Sequence, residues 1–124
     1  MEDKKSILRE ETIVFALMVS DVCDEIQGCG VFKGQLIRSS SSIGANLHEV
    51  RYAQSRADFI SKLEIALKEC YESEYWLELL WRKGKLTKDQ HMKLKNKCGT
   101  IRRMLIASVT TAKENGRKQG MEQG

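Results

Sequence analysis

Apolar residues return every third or fourth position along most of this 124-residue chain, in four blocks set apart by glycines or by a serine or threonine. Leu8, Thr12, Phe15, Val19, Val22 and Ile26 alternate spacings of four and three, which predicts a first helix from about Ser6 to Gln27. Val14, Leu17 and Met18 widen its stripe, as a helix touching two neighbours requires. Gly28 and Gly30 then supply backbone that stops a helix.

The second block, about Lys33 to Gln54, sets propensity against periodicity. Ser39 to Ser42 and Gly44 read alone as a loop, and a serine-rich linker is the alternative there. Leu36, Ser40, Ile43, Leu47, Val50 and Gln54 nevertheless keep the helical period, and the small residues among them allow a neighbour to come close. Ser55 with Asp58 three residues on resembles a capping box, and Gly84 falls where a helix stops, so a third helix is expected over about 56–83. Phe59, Leu63, Ala66, Leu67, Cys70, Leu77 and Trp81 share one face of it, and Ile65, Tyr75, Trp76 and Leu79 fall opposite. Thr87 and Gln90 form a second capping box, opening a fourth helix to about Glu114 with the stripe Leu94, Cys98, Ile101, Leu105, Ser108 and Ala112. The expectation is one all-α, antiparallel up-down-up-down four-helix bundle over residues 1–115, with 116–124 a disordered tail.

Composition agrees, since proline is absent while hydrophobic and charged residues make up 41% and 31%. The longest apolar run, Ile13 to Val19, is too short to span a membrane, and no signal segment is visible. With no CxxC pair among Cys23, Cys29, Cys70 and Cys98, the thiols read as reduced and the chain as cytoplasmic. Charge is uneven. Residues 1–81 hold 9 basic and 14 acidic side chains, net −5, and residues 82–124 hold 12 and 3, net +9. A basic pole of this kind suits an anionic partner such as RNA or DNA, and equally a solvated lysine-rich helix.

Chemical motifs are sparse. Ala45 and Lys88 stand three residues before His48 and His91, so neither half of a Glu-x-x-His di-metal site exists. Walker A, G-x-S-x-G and HExxH patterns are missing, and both histidines read as ordinary surface residues. Cys70 and Cys98 read as small hydrophobes, and Cys23 and Cys29 with two distant histidines make a poor zinc site, so neither metal nor cofactor is expected. Glu74 is the odd residue, falling within the apolar face of the third helix; either it lies at a wet margin or it has a partner such as Arg38 or Asn46. On the fourth helix Lys88, Lys95, Arg102 and Lys113 line one flank of the core stripe, Lys93 and Lys97 the other, and Arg103 points outward. Such a helix meets successive phosphates without reading bases, because no aromatic residue is interleaved.

The run Leu36-Ile37-Arg38-Ser39-Ser40-Ser41-Ser42-Ile43-Gly44-Ala45-Asn46-Leu47-His48-Glu49, followed by Asp58-Phe59-Ile60-Ser61-Lys62-Leu63 and by Ala66-Leu67-Lys68-Glu69-Cys70-Tyr71-Glu72-Ser73-Glu74-Tyr75-Trp76-Leu77, resembles the bacterial four-helix bundle proteins of the 23S rRNA intervening-sequence family. That family's pattern is approximately Arg-Ser-x-x-Ser-Ile-x-Ala-Asn, then Asp-Phe-Ile-x-Lys, then Ile-Ala-x-Lys-Glu-Ala-x-Glu-Thr-x-Tyr-Trp-Leu. Val50, Cys70 and Ser73 depart from it, with Cys70 standing where alanine is usual. The resemblance implies a helical serine run and a homo-oligomer, since relatives form ring-shaped pentamers with a basic surface. It carries no catalytic residue. A distant relative, the accessory variability determinant of diversity-generating retroelements, binds nucleic acid and a reverse transcriptase, so by analogy such a protein partner enters the expectation.

Two functional classes follow: a non-enzymatic oligomer that binds nucleic acid through Lys88, Lys93, Lys95, Lys97, Arg102, Arg103 and Lys113, or a protein-interaction scaffold with no nucleic-acid role. In either, Ile65, Tyr75, Trp76 and Leu79 are the expected subunit contacts, because a helix that is apolar on two faces calls for burial on both.

Overall fold

The computed structural model describes residues 4–123, with side chains through residue 118. Four helices follow in order: α1 Lys4–Glu25, α2 Gly30–Val50, α3 Arg56–Arg82 and α4 Lys88–Gln123. Each packs on its chain neighbours and α4 closes on α1, leaving α1 and α3, and α2 and α4, on the diagonals. Side-chain pairings run α3 opposite to α2 and α4 opposite to α3: Glu49 meets Lys62 while Arg38 meets Glu69, and Glu64 meets Lys113 while Glu74 meets Arg102. Among the described residues no helix is long and apolar enough to cross a membrane.

The boundaries come from local chemistry. Ser55 takes an extended backbone and its hydroxyl accepts from Asp58 N at 3.0 Å, while Asp58 accepts from Gln54 N at 3.2 Å. This box, and i→i−3 bonds from Tyr52 to Glu49 and from Ala53 to Val50, end α2 four residues earlier than periodicity suggested. At the far end of α3, Lys85 N bonds Leu80 O and Gly84 N bonds Trp81 O, with Gly84 at φ 77, a full Schellman closure. Thr87 and Gln90 exchange backbone-to-side-chain bonds of 3.0 and 2.9 Å, the box expected from sequence. Between α1 and α2 the left-handed residues are Gly28 and Cys29, at φ 75 and 55, and Gly30 already belongs to α2.

The serine run is helical. Ser39 and Ser40 are buried, and Ser39 to Ser42 each donate to a carbonyl three or four residues back, so the hydroxyls that would favour a loop are satisfied within the helix. Ser73 Oγ of α3 lies 2.8 Å from Ser39 Oγ, a contact only short side chains permit. On the other side Gly44 meets α1 closely: a Cβ there would stand 3.2 Å from Thr12 Oγ1. Phe15, Val19, Leu36, Ile43, Leu80, Ile101 and Leu105 fill the centre, each fully enclosed.

α4 continues nine residues past the end expected at Glu114, where sequence suggested a disordered tail; Gly124 lies outside the described residues. Arg56, at the start of α3, lies along this stretch, donating to Ala112 O at 3.3 Å with its Cδ 3.0 Å from where a Cβ on Gly116 would be. Gly116 therefore seats a neighbour instead of ending the helix.

Candidate nucleic-acid interface on the fourth helix

α4 turns its stripe of Leu94, Cys98, Ile101, Leu105, Val109 and Ala112 inward, which fixes where its cations go. Those on the two flanks meet acids of neighbouring helices. Lys97 reaches Glu11 of α1 at 2.7 Å, Arg102 reaches Glu74 of α3 at 2.6 Å, and Lys113 reaches Glu64 of α3 at 3.5 Å. Lys93 pairs along its own helix with Asp89 at 3.1 Å, in the open. Four of the seven expected phosphate contacts are thus engaged within the chain. Lys88, Lys95 and Arg103 are exposed and have no acidic partner within ion-pair distance among the described residues. Arg103 donates to Thr100 Oγ1 at 3.3 Å. At 100° and 1.5 Å per residue these three fall within about 80° of arc, roughly 10 and 12 Å apart along the axis. Arg117, also exposed, continues the same arc. It was missed because Gly116 read as a terminus, although the basic run and the lack of proline were visible.

Glu74 is paired, and its partner is Arg102 on α4 rather than a residue of α2. Arg38 instead pairs with Glu69 and Glu72. Glu74 and Arg102 are each about 30% exposed, so the pair does sit at a margin, on the wall of a groove of about 410 Å³ between α3 and α4. Glu78, His91, Lys95 and Arg103 complete much of its lining. His91 is not an ordinary surface residue: its ring lies flat on Trp81, centroids 4.4 Å apart, with Nε2 3.9 Å from Glu78. The hydrogen bond from Arg82 holds the Glu78 carboxyl below the usual range, and the charges of Arg82, His91 and Lys95 add to it. In the core between α3 and α4 the fully buried Cys70 and Cys98 sulfurs are 3.5 Å apart. Their mutual hydrogen bond, followed by burial, pushes the Cys98 thiol far up.

On α3, Ile65 and Tyr75 are 42% and 57% exposed, whereas Trp76 and Leu79 are half-buried. Trp76 stacks on Phe32 of α2, centroids 6.0 Å apart, and meets the edge of Tyr75. The second apolar face of α3 is therefore covered in part by α2 of the same chain, which weakens the inference from two faces to two subunits. Ile13 and Leu17 of α1, 52% and 60% exposed, are further outward apolar residues.

The fold and this surface define an all-α bundle with a basic arc on its last helix. The 23S rRNA-intervening sequence protein family matches residues 4–107, and the chain belongs to it. It is also similar to the crystal structure of a protein of unknown function from the S23 ribosomal protein family of Bacteroides thetaiotaomicron, with 39% identity over 87% of this chain and 99% of that chain, at a TM-score of 0.83. No curated protein matches.

Proposed function

We propose that this protein is a non-enzymatic homo-oligomer that binds the backbone of RNA or DNA through α4. The observation that carries this reading is the exposed arc of Lys88, Lys95 and Arg103, extended by Arg117, none of which has an acidic partner within ion-pair distance among the described residues. The family's description as 23S rRNA-intervening sequence proteins supports RNA as the first ligand to try. Exposed Ile13, Leu17, Ile65 and Tyr75 supply apolar area for self-association, and a ring would repeat the arc so that weak contacts sum.

A salt series tests it. Each phosphate contact adds roughly 0.9 to the slope of log affinity against log salt on duplex DNA. Replacing Lys88, Lys95 and Arg103 by glutamine should lower that slope by roughly 3 per bound chain and weaken all sequences alike. Lys97→Gln, at a cation already neutralised by Glu11, should change it far less. The engagement of four cations by internal acids favours the second reading, a protein scaffold, which a wild type that binds neither RNA nor DNA would support; unchanged binding in the triple variant would overturn the arc as the contact surface. A monomeric wild type by light scattering at micromolar concentration would overturn the oligomer.

A further inference from the structure

α3 and α4 cross at Cys70 and Cys98 so closely that each thiol reaches the other residue's main chain, Cys70 Sγ lying 3.4 Å from Cys98 O and Cys98 Sγ 3.5 Å from Cys70 O. The two sulfurs are 3.5 Å apart, and a carboxylate oxygen of Glu74, one turn along α3, lies within 4.8 Å of both. Both cysteines are fully buried, while Glu74 stands at the groove wall. Two sulfurs ligating one tetrahedral ion at about 2.3 Å are necessarily about 3.8 Å apart, and a sulfur and a carboxylate oxygen about 3.5 Å. A disulfide would instead require the sulfurs to close to about 2.05 Å.

From this geometry we infer that Cys70, Cys98 and Glu74 form a binding site for a soft divalent cation of the zinc class at the α3–α4 crossing. Two thiolates and a carboxylate are a donor set that selects such an ion over magnesium or calcium. Three protein ligands leave one tetrahedral position for water, on the side where the groove reaches Glu74. Binding removes one proton from each thiol, so two protons leave per ion and the site carries net charge −1. Arg102 meets that charge. Its guanidinium bonds Glu74 Oε1 at 2.6 Å, so Arg102 is a positioning residue that orients the carboxylate and balances the site.

The full-length protein, reduced and stripped of metal, is titrated with zinc and with cobalt(II). The expected result is one ion per chain, a sulfur-to-cobalt charge-transfer band with the intense visible bands of a tetrahedral site, and release of two protons, measured by calorimetry in buffers of different ionisation heat. Cys70→Ala and Cys98→Ala should abolish the charge-transfer band, whereas a Cys23→Ala/Cys29→Ala variant should keep it. Glu74→Gln and Arg102→Gln, which leave the core intact, should each weaken zinc by about 10- to 100-fold. Circular dichroism confirms that each variant is folded. Failure of the wild type to bind, equal binding by the Cys70→Ala/Cys98→Ala protein, or recovery of a Cys70–Cys98 disulfide in place of the zinc complex would overturn the site.

Discussion

Gly44→Ala sets two effects of known size against each other. Within a helix, alanine is favoured over glycine by about 1 kcal/mol. At Gly44 the new Cβ would stand 3.2 Å from Thr12 Oγ1 and 3.5 Å from Thr12 Cβ, both on α1. Thr12 is only 1% exposed, and its hydroxyl donates to Arg9 O at 2.7 Å. If the side chain rotates away, a buried hydroxyl loses its bond, at about 1–3 kcal/mol. If it stays, α1 and α2 must part by a few tenths of an ångström, at a similar cost for an overpacked contact. Either cost, about 2 kcal/mol, exceeds the propensity gain, so Gly44→Ala should destabilise by about 1 kcal/mol. Gly34 on the same helix has nothing within 4 Å of its would-be Cβ, and Gly34→Ala should stabilise by up to about 1 kcal/mol. Urea denaturation followed by circular dichroism at one fixed protein concentration gives both values. Equal stabilisation by the two substitutions would refute the claim that Gly44 sets the α1–α2 distance.

Thr87→Ala removes the hydroxyl that accepts from Gln90 N at 3.0 Å and should lower stability by about 1 kcal/mol in the same assay. Cys29→Gly relieves a non-glycine residue held at φ 55 and should raise the urea midpoint, equivalent to about 0.5–1 kcal/mol, even after the lost packing of the thiol.

Features that depend on a few adjacent residues could be read from the sequence. The Thr87–Gln90 box, the Ser55–Asp58 cap and the Gly84 stop each need only a local spacing, and each is present. The serine run was legible through its period, and back-bonding to the preceding carbonyls explains why propensity misled there. Features that depend on what lies across a seam were not legible. Lys97, Arg102 and Lys113 look like free cations on a helical wheel, and only the packing brings Glu11, Glu74 and Glu64 to them. Cys70 and Cys98, 28 positions apart, meet because small side chains let α3 and α4 cross closely. Gly116 misled in the opposite way, since its lack of a side chain serves Arg56 and not a helix stop.

The cyclic order of the helices has an electrostatic counterpart. Formal charges over the four spans are −2 for α1, +1 for α2, −2 for α3 and +6 for α4. The sign alternates around the square, so every helix has neighbours of opposite sign and its like-signed counterpart lies on the diagonal, the greatest separation this cross-section offers. Individual exposed pairs contribute little, typically under about 1 kcal/mol. Their arrangement still discriminates. An arrangement that exchanged α2 with α3 would bring α1 beside α3 and α2 beside α4, pressing acid on acid along one seam and base on base along another. The charge pattern thus works as a wiring code for the bundle, penalising the wrong circuit more than it strengthens the right one.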